Sequence, residues 1–393
     1  MKKVIITDLL ILAVFGSTCF WSVKKDRLTA LVDKILTEQT SEDEEILVLT
    51  SSNLAKKNGR IGETQMSENA DKASEENTTK DYIKWVDFTV SKFALTESYE
   101  YDRDTYGTDR HISWIDLLAW TAAHTGGKFG DDRTVCKCME ELEMEAEAGK
   151  ELEELTENLE YFPYYREVYE TVLGGMVGEY EIEEPDAQGR KVTQKRYGLK
   201  AFHPIAKGFP YTDYDDFGAS RSYGYRREHL GHDMMGQVGT PVVCVESGYV
   251  EALGWNQYGG WRIGIRSFDK KRYYYYAHLR QGFPYQPELK EGSVVLAGDV
   301  IGYMGHTGYS TKEDVNNIDQ THLHVGMQLI FDESQKDSDN EIWIDCYQIM
   351  GFLYRNQSET ARNDETKEWR RIYEMKDPAA EKYERTLDFS MYP

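Results

Sequence analysis

The chain has 393 residues, 40% of them hydrophobic, and it carries a formal net charge of −23 at pH 7. This length and composition allow a sizeable buried core and more than one domain. The acidic excess argues against binding to nucleic acid, because neutralising phosphates requires clustered lysine and arginine. It also opposes docking on anionic lipid head groups, so any membrane association must come from an apolar segment.

One such segment lies at the N-terminus. Residues 4–21 are nearly all apolar, interrupted by Asp8, and basic residues flank them on both sides: Lys2, Lys3, Lys24, Lys25 and Arg27. Because a bilayer requires roughly 20 apolar residues, we predict a signal-anchor or transmembrane segment over residues 1–25. The lack of a clear small-residue cleavage site favours an uncleaved, single-pass anchor. The alternatives are a cleaved signal peptide with secretion, and a lipoprotein signal at Cys19.

Two regions follow that differ in composition. Residues 26–80 are polar, cannot bury enough apolar surface to order themselves, and are interpreted as a flexible linker. Residues 81–184 are predicted to form a small helical domain, with helices at residues 82–90, 111–124, 140–159 and 161–173. The third of these helices is very acidic. We interpret it as a solvated face, with a surface for a protein partner as the alternative.

Beyond the helices, short aromatic and β-branched runs separated by glycine indicate a β-rich domain over residues 191–354. The strand candidates are residues 240–253, 261–268, 272–279, 293–304 and 322–331, and a short strand and helix within residues 340–354 close the domain. The polar tail, residues 355–393, is predicted to be a surface helix. The expected fold class is therefore α+β: a membrane segment, a small helical domain and a β-rich domain built on an antiparallel sheet.

Four histidines and one aspartate in the β-rich domain have the spacing of a metal site. His322 and His324 leave the same face of a strand, since side chains alternate with period two. His229 and Asp233, four residues apart across a glycine, can both turn onto one ion. Three ligands of this kind with an open fourth position are typical of catalytic Zn²⁺, and His278 could then shuttle a proton or stabilise an oxyanion. The spacing does not say which histidine of the pair is the ligand.

The same residues fall in recognisable motifs. They are H-x-G-x-D at residues 229–233, Y-x-H-L at 276–279, a pair of glycine turns within 298–311 and H-x-H at 322–324. From about residue 204 to 331 the chain thereby resembles the lysostaphin and LytM-type zinc endopeptidases of bacterial cell walls, the twenty-third metallopeptidase family, whose fold carries the duplicated hybrid motif. The resemblance implies that His229, Asp233 and His324 bind Zn²⁺, and that His278 and His322 are catalytic.

Two departures from the family pattern affect loops beside the groove. Residues 312–320 are longer than the short link often seen in the family, and the lead-in over residues 217–226 is stretched. Both leave the substrate preference open.

The resemblance implies a zinc endopeptidase that hydrolyses cross-links or stem peptides of peptidoglycan, with its catalytic domain outside the cell. A first alternative is a non-catalytic LytM-like domain that binds the wall or regulates another hydrolase or a morphogenetic complex. A second is an anchored scaffold whose partner surface is the acidic helical region. Because all the expected zinc ligands are present, the sequence favours the enzyme.

Several other residues carry weaker expectations. Tyr274 and Tyr276 are expected to share the face of His278 and flank the groove, while Tyr273 and Tyr275 pack in the core. His232 is expected to lie behind or beside the site, and His306 could line the groove. A disulfide between Cys244 and Cys346 is an alternative that the spacing allows and an oxidising compartment would not oppose.

Overall fold

The structure is a computed structural model that describes residues 86, 88–223, 225–336 and 338–390. All of these belong to one compact unit, Lys84–Pro393. The predicted membrane segment (1–25) and linker (26–80) lie outside the described residues. Among the helices that are described, none is long and apolar enough to cross a bilayer.

Five helices come first in the described chain. They are α1 (Lys92–Thr105), α2 (Trp114–Thr125), α3 (Asp132–Glu147), α4 (Leu152–Thr156) and α5 (Phe162–Leu173). Local chemistry sets several of their ends. The Ser91 and Ser113 side chains accept hydrogen bonds from the first-turn amides of α1 and α2, and Gly126 ends α2 in the left-handed conformation, φ 61°.

Four helices were predicted in this region and five are present, and several predicted extents are wrong. The expected helix at residues 82–90 is wrong, because Phe88 to Val90 are not helical and α1 begins only after the Ser91 cap. The expected long acidic helix at 140–159 is two helices, separated where Gly149 adopts a φ of 81°. Residues 177–184, the last part of the predicted helical domain, belong instead to a strand that begins at Val177.

A three-stranded antiparallel sheet follows the helices. It pairs β1 (Val177–Pro185) with β2 (Lys191–Leu199) and, on its other edge, with β17 (Met375–Lys376) from the C-terminal region. The C-terminal tail is therefore mixed and not the simple surface helix predicted. It contains a hairpin of β15 (Thr360–Arg362) and β16 (Trp369–Arg371), then β17, and only then α7 (Pro378–Ser390).

The largest sheet has eight antiparallel strands. Its main path runs β11, β8, β9, β10, β13, β6, β3, with β14 added beside β13. The bounds are β3 (Thr212–Asp213), β6 (His232–Met235), β8 (Gly248–Asn256), β9 (Gly260–Ser267), β10 (Arg272–Ala277), β11 (Val294–Val295), β13 (His322–Leu329) and β14 (Ile342–Trp343). Two small antiparallel pairs accompany it: β4 (Ser220–Tyr223) with β5 (Tyr225–Glu228), and β7 (Pro241–Val243) with β12 (Val300–Tyr303). The β-rich, antiparallel part of the predicted fold is confirmed.

Register gives the large sheet two distinct faces. One face is fully buried in the core: Ile263, Ile265, Tyr274, Tyr276, Leu323, Val325 and Met327. Each such side chain contributes roughly 1.5–3 kcal/mol by leaving water. The opposite face carries the alternate residues of β10 and β13, including Tyr275, His322 and His324. We call this second face the site face.

The helices and the sheet share one hydrophobic core. The same cluster of buried residues contains Leu118 and Val172 from helices and Leu323 from the sheet, together with Phe352 of α6 (Tyr347–Leu353). A buried ion pair adds to this union. Arg272 binds Glu246 through two nitrogens at 2.7 and 2.9 Å, and donates at 2.7 Å to the carbonyl of Thr171 in α5. The boundaries proposed for two separate domains, 81–184 and 191–354, stay a prediction.

The cysteines of the core do not form the disulfide considered above. Cys244 and Cys346 are both buried and both free. Burial raises the pKa of each thiol, so both stay protonated at neutral pH. They fill space as small apolar side chains.

Candidate active site

Two neighbouring strands of the large sheet bring the site together. In the pairing of β13 with β6, His324 lies directly opposite Asp233. His229 stands three residues before β6, and its backbone is held by hydrogen bonds to Gly218 and Ala219. All three side chains are mostly buried, and they meet on the site face of the sheet.

The three ligand atoms form a nearly equilateral triangle. His229 Nε2 lies 3.0 Å from Asp233 Oδ1 and 2.9 Å from His324 Nδ1, and His324 Nδ1 lies 3.0 Å from Asp233 Oδ1. Within the described residues, this is the group of histidine, cysteine and acidic side chains that could hold a metal ion. The predicted ligand set therefore meets at one point.

Proton placement shows why this triangle suits a cation. His229 Nδ1 is 3.1 Å from the carbonyl oxygen of Asp216, which can only accept, so Nδ1 carries the hydrogen. In the neutral imidazole Nε2 is then a bare acceptor, and it faces a carboxylate oxygen that is also an acceptor. Only an added proton or a metal ion makes this contact favourable. Zn²⁺ fits the donor set, because it prefers imidazole and carboxylate ligands.

The ionisation of the ligands reflects their contacts. Burial alone would raise the pKa of Asp233, but hydrogen bonds with His229 and His324 hold it well below its ordinary value. Burial acts to lower the pKa of His229, and Asp233 more than reverses this, so the pKa is raised above 6.5. Burial lowers the pKa of His324. In the absence of metal, His229 is thus the ligand that holds a proton most readily.

Steric crowding explains why the middle residue of the H-x-G-x-D motif is a glycine. A Cβ on Gly231 would lie 2.5 Å from Cε1 and 2.6 Å from Nε2 of His324. The imidazole of the third ligand therefore packs directly on the backbone of the loop that carries the first two. Any side chain here would push His324 away from the triangle.

Two residues outside the predicted set hold the ligands in place. The Asp216 carbonyl fixes the His229 ring, and the Asp216 carboxylate pairs with Arg221. Arg221 also reaches Asp233 Oδ2 at 3.5 Å. Such contacts orient metal ligands and tune their basicity. The sequence contained a clue in the acidic run just before Phe217, but nothing in that run singled out Asp216.

His278 and His322 stand beside the triangle with matching hydrogen bonds. The Nδ1–H of His278 donates to the Thr307 carbonyl at 3.0 Å, and that of His322 donates to the Gln320 carbonyl at 2.9 Å. Each ring therefore presents an unprotonated Nε2. Their ring centroids are 4.6 Å apart, and His322 Nε2 is 3.7 Å from Asp233 Oδ1. Burial lowers the pKa of His278 well below 6.5, so it is neutral at physiological pH.

The backbone at His278 departs from the strand that precedes it. Its φ is 60°, the left-handed region, which costs a non-glycine residue of order 1–3 kcal/mol and persists only where the surroundings impose it. The turn brings the ring round to the site face. It also makes the tyrosine prediction wrong: Tyr274 and Tyr276 are buried in the core, and Tyr275 is on the site face. Counting alternate residues through to His278 fails because the strand ends at Ala277.

The remaining histidines are accounted for by local contacts. His232 is buried on the core side of β6 and binds Asp213 at 2.9 Å, as expected for a residue behind the site. His306 bonds through Nδ1 to the Ile318 carbonyl at 2.8 Å, so it anchors the long loop after Thr311. That loop is held further by Asp314, which accepts from Trp261 and Gly282, both at 2.8 Å.

Comparison with known proteins agrees with this geometry. Residues 227–338 match the model of peptidase family M23. This stretch is a family M23 peptidase domain of the LytM and lysostaphin type. It contains all five residues of the predicted site, whereas Asp216, Arg221 and helices α1 to α5 precede it.

Among known proteins similar to the M23 domain, the L-Ala–D-Glu endopeptidase of Bacillus subtilis is 42% identical over 124 residues, which are 32% of this chain and 36% of that protein. Lysostaphin of Staphylococcus simulans is 39% identical over 84 residues, 21% of this chain and 16% of that protein. The solved catalytic domain of S. simulans lysostaphin is 29% identical, with a TM-score of 0.29, over 36% of this chain and 92% of that domain. The chain thus spans 36% of the first curated relative and 16% of the second.

The contact between Gly231 and His324 leads to a first prediction. Gly231→Ala should weaken zinc binding by roughly 10- to 100-fold, because the new methyl group displaces the His324 imidazole. The measurement is the dissociation constant from competition with a chromophoric chelator. The matched control is Gly130→Ala, since a Cβ at Gly130 meets nothing within 4 Å. Equal affinities for the two variants would contradict the steric account.

The pKa values lead to a second prediction, on pH. A proton and a metal ion compete for the same lone pair of His229, whose pKa is raised above 6.5, while Asp233 stays ionised and His324 neutral. Acidification should therefore weaken zinc binding by about tenfold per pH unit below pH 6.5, as one proton is displaced per ion. Titrations at successive pH values measure the slope. A flat profile would show that His229 is not the competing site, and about a hundredfold loss per unit would contradict the displacement of a single proton.

Proposed function

We propose that the protein is a zinc-dependent endopeptidase that hydrolyses peptide bonds of bacterial peptidoglycan. The observation that carries the proposal is the triangle of His229 Nε2, Asp233 Oδ1 and His324 Nδ1, all within 3.0 Å of one another, beside two further imidazoles with bare Nε2 atoms. A metal set of three protein ligands with adjacent bases is the arrangement that hydrolysis by an activated water requires.

The substrate class rests on the relatives. The similar proteins are named for cleavage of an L-Ala–D-Glu bond and as lysostaphin, and the similarities cover 124 and 84 residues, 32% and 21% of this chain. Cell-wall peptide bonds are therefore the substrate that we propose for this domain. Which bond is cleaved depends on the side chains that line the substrate groove.

Zinc, when bound, lowers the pKa of a coordinated water towards about 7 and polarises the substrate carbonyl. The chain's own residues supply the remaining steps. His229, Asp233 and His324 orient the ion, and the carbonyl of Asp216 fixes the His229 tautomer that leaves Nε2 free to bind it. Burial of the three side chains limits competing solvent.

Proton transfer falls to His278 and His322. Because each holds its hydrogen on Nδ1 against a backbone carbonyl, each presents Nε2 as a proton acceptor first. The imidazole that takes the proton from the attacking water then has an N–H to give to the leaving amine. The other imidazole could stabilise negative charge on the substrate only after its own Nε2 takes up a proton from solvent, and either histidine can take either role.

The location of the enzyme is a further part of the proposal. Peptidoglycan lies outside the cytoplasmic membrane, so the M23 domain must be outside as well. The apolar residues 1–25 would anchor the chain in the cell membrane as a single-pass protein, and the polar residues 26–80 would give the domain reach to the wall. Release after signal-peptide cleavage would serve the same substrate.

A comparison of two histidines on one strand tests the assignment of roles. His324→Ala should lose both zinc and activity, whereas His322→Ala should keep about one zinc per chain and lose roughly 10²- to 10⁴-fold in rate. The measurements are metal content of the purified full chain and release of soluble fragments from purified peptidoglycan.

Two outcomes would count against these roles. Loss of zinc from His322→Ala would move His322 into the ligand set. Full hydrolysis by both variants would mean that the activity does not come from this site.

A further inference from the structure

The hairpin that precedes the metal ligands places two arginines side by side. In the pairing of β4 with β5, Arg221 lies directly opposite Arg227, so both side chains leave the same face of the hairpin. Arg221 is neutralised on that face by Asp216 and Asp233. This face therefore looks towards the metal triangle, and Arg227 brings a second positive charge to it.

Arg227 is held by aromatic rings and not by an acid. Its guanidinium carbon lies 4.9 Å from the ring centre of Tyr258 and 5.2 Å from that of Tyr309, and Nη2 donates to the Tyr309 hydroxyl at 2.9 Å. Its Nη1 is buried and has no hydrogen-bond partner in the described part of the chain. An unpaired buried donor on a charged group is costly.

Arg262 repeats the pattern on the sheet. It precedes Gly264 by two residues on β9, and Gly264 pairs with Tyr275, so Arg262 belongs to the site face. Its Nη1 is likewise buried without a partner among the described residues. Arg266, further along the same strand face, also has a buried Nη1 without a hydrogen-bond partner among the described residues, but acidic side chains neutralise its charge, Glu333 at 2.8 Å and Glu251 at 3.5 Å. Arg266, remote from the triangle, is therefore neutralised by acids, whereas Arg262, nearer to the triangle, has no acidic partner among the described residues.

Two tyrosine rings link this region to the predicted site. The Tyr309 ring that covers Arg227 is 6.0 Å from the His278 ring, and the Tyr275 ring is 5.9 Å from the His324 ring. Burial raises the pKa of Tyr275 to about 12, and the positive charges of Arg262 and Arg227 oppose that rise. The two arginines thus act on one tyrosine beside the triangle.

We infer that Arg227 and Arg262 form a carboxylate-binding subsite of the groove, and that the peptide this domain cleaves carries a free carboxylate close to the scissile bond. The inference deepens the proposed function and rests on it. In a chain of net charge −23, acidic partners for two arginines are abundant, yet these two have none among the described residues. A guanidinium fork binds a carboxylate through two charged hydrogen bonds, and Tyr309 must rotate to admit it.

This subsite would distinguish between two kinds of cell-wall peptide. An acidic stem peptide offers a carboxylate beside the bond, whereas a glycine bridge offers only uncharged backbone. A domain with an unpaired arginine subsite gains affinity from the first and leaves buried cations unpaired with the second. The expected substrate is therefore an acidic peptide.

The test uses two synthetic peptides that contain an L-Ala–D-Glu bond and differ in one group, a glutamate carboxyl that is either free or amidated. Hydrolysis by the zinc-loaded full chain gives kcat/KM for each. Binding is measured separately, by calorimetry, in the slow His322→Ala background. The variants are Arg227→Gln and Arg262→Gln, and the control is Arg226→Gln, an exposed arginine on the other face of the same hairpin.

The carboxylate peptide should bind the arginine-intact protein roughly 10- to 100-fold more tightly than its amide. Arg227→Gln and Arg262→Gln should each remove most of that preference with little change for the amide, and Arg226→Gln should leave it intact. Equal binding of the two peptides, or a preference that survives both variants, would overturn the subsite. If neither peptide is cleaved but the arginine-dependent preference in binding remains, the subsite stands and the proposed function fails.

Discussion

Three hydrogen-bond acceptors approach one another closely at the site, and the surrounding strands and loops are arranged to keep them there. His229 Nε2, Asp233 Oδ1 and His324 Nδ1 converge at about 3.0 Å because β13 pairs with β6 in a register that sets His324 opposite Asp233. Without a cation such a triangle is repulsive unless a proton occupies it. The three ligand atoms are kept in place by close packing of His324 on Gly231, by the hydrogen bond of His229 to the Asp216 carbonyl, and by the buried core face of the sheet.

Spacing in the sequence was enough to predict that these side chains meet, but not which of His322 and His324 binds the metal, and it failed where the backbone changed direction. The motifs at residues 229–233 and 322–324 predict a meeting of ligands because each is local and the strand period is fixed. Tyr274 and Tyr276 were assigned to the wrong face, since a left-handed residue at 278 interrupts that period. Asp216 could not be singled out, because its carbonyl contact with His229 is open to any residue and nothing in the acidic run before Phe217 distinguishes the carboxylate that pairs with Arg221.

The outer parts of the fold were less predictable for a related reason. Strands β9, β10 and β13 matched their predicted places, because buried β-branched and aromatic runs are distinctive. The predicted strands at residues 240–253 and 293–304 were wrong in extent, because each divides into two strands that belong to different sheets, and no strand was predicted at β3 or β6. The helices were shifted, since caps such as Ser91 and breaks such as Gly149 decide their ends. The helices share the hydrophobic core of the sheet, through contacts such as that of Arg272 with the Thr171 carbonyl. This arrangement depends on long-range packing, which no local sequence pattern predicts.

Diffraction from crystals of the full chain, recorded on both sides of the zinc absorption edge, would show whether the triangle holds zinc. We expect one anomalous peak per chain, about 2.0–2.2 Å from His229 Nε2, Asp233 Oδ1 and His324 Nδ1. His278 and His322 should stand beyond direct bonding distance. No peak at the triangle in zinc-supplemented crystals, or a peak bound by a different set of side chains, would contradict this expectation.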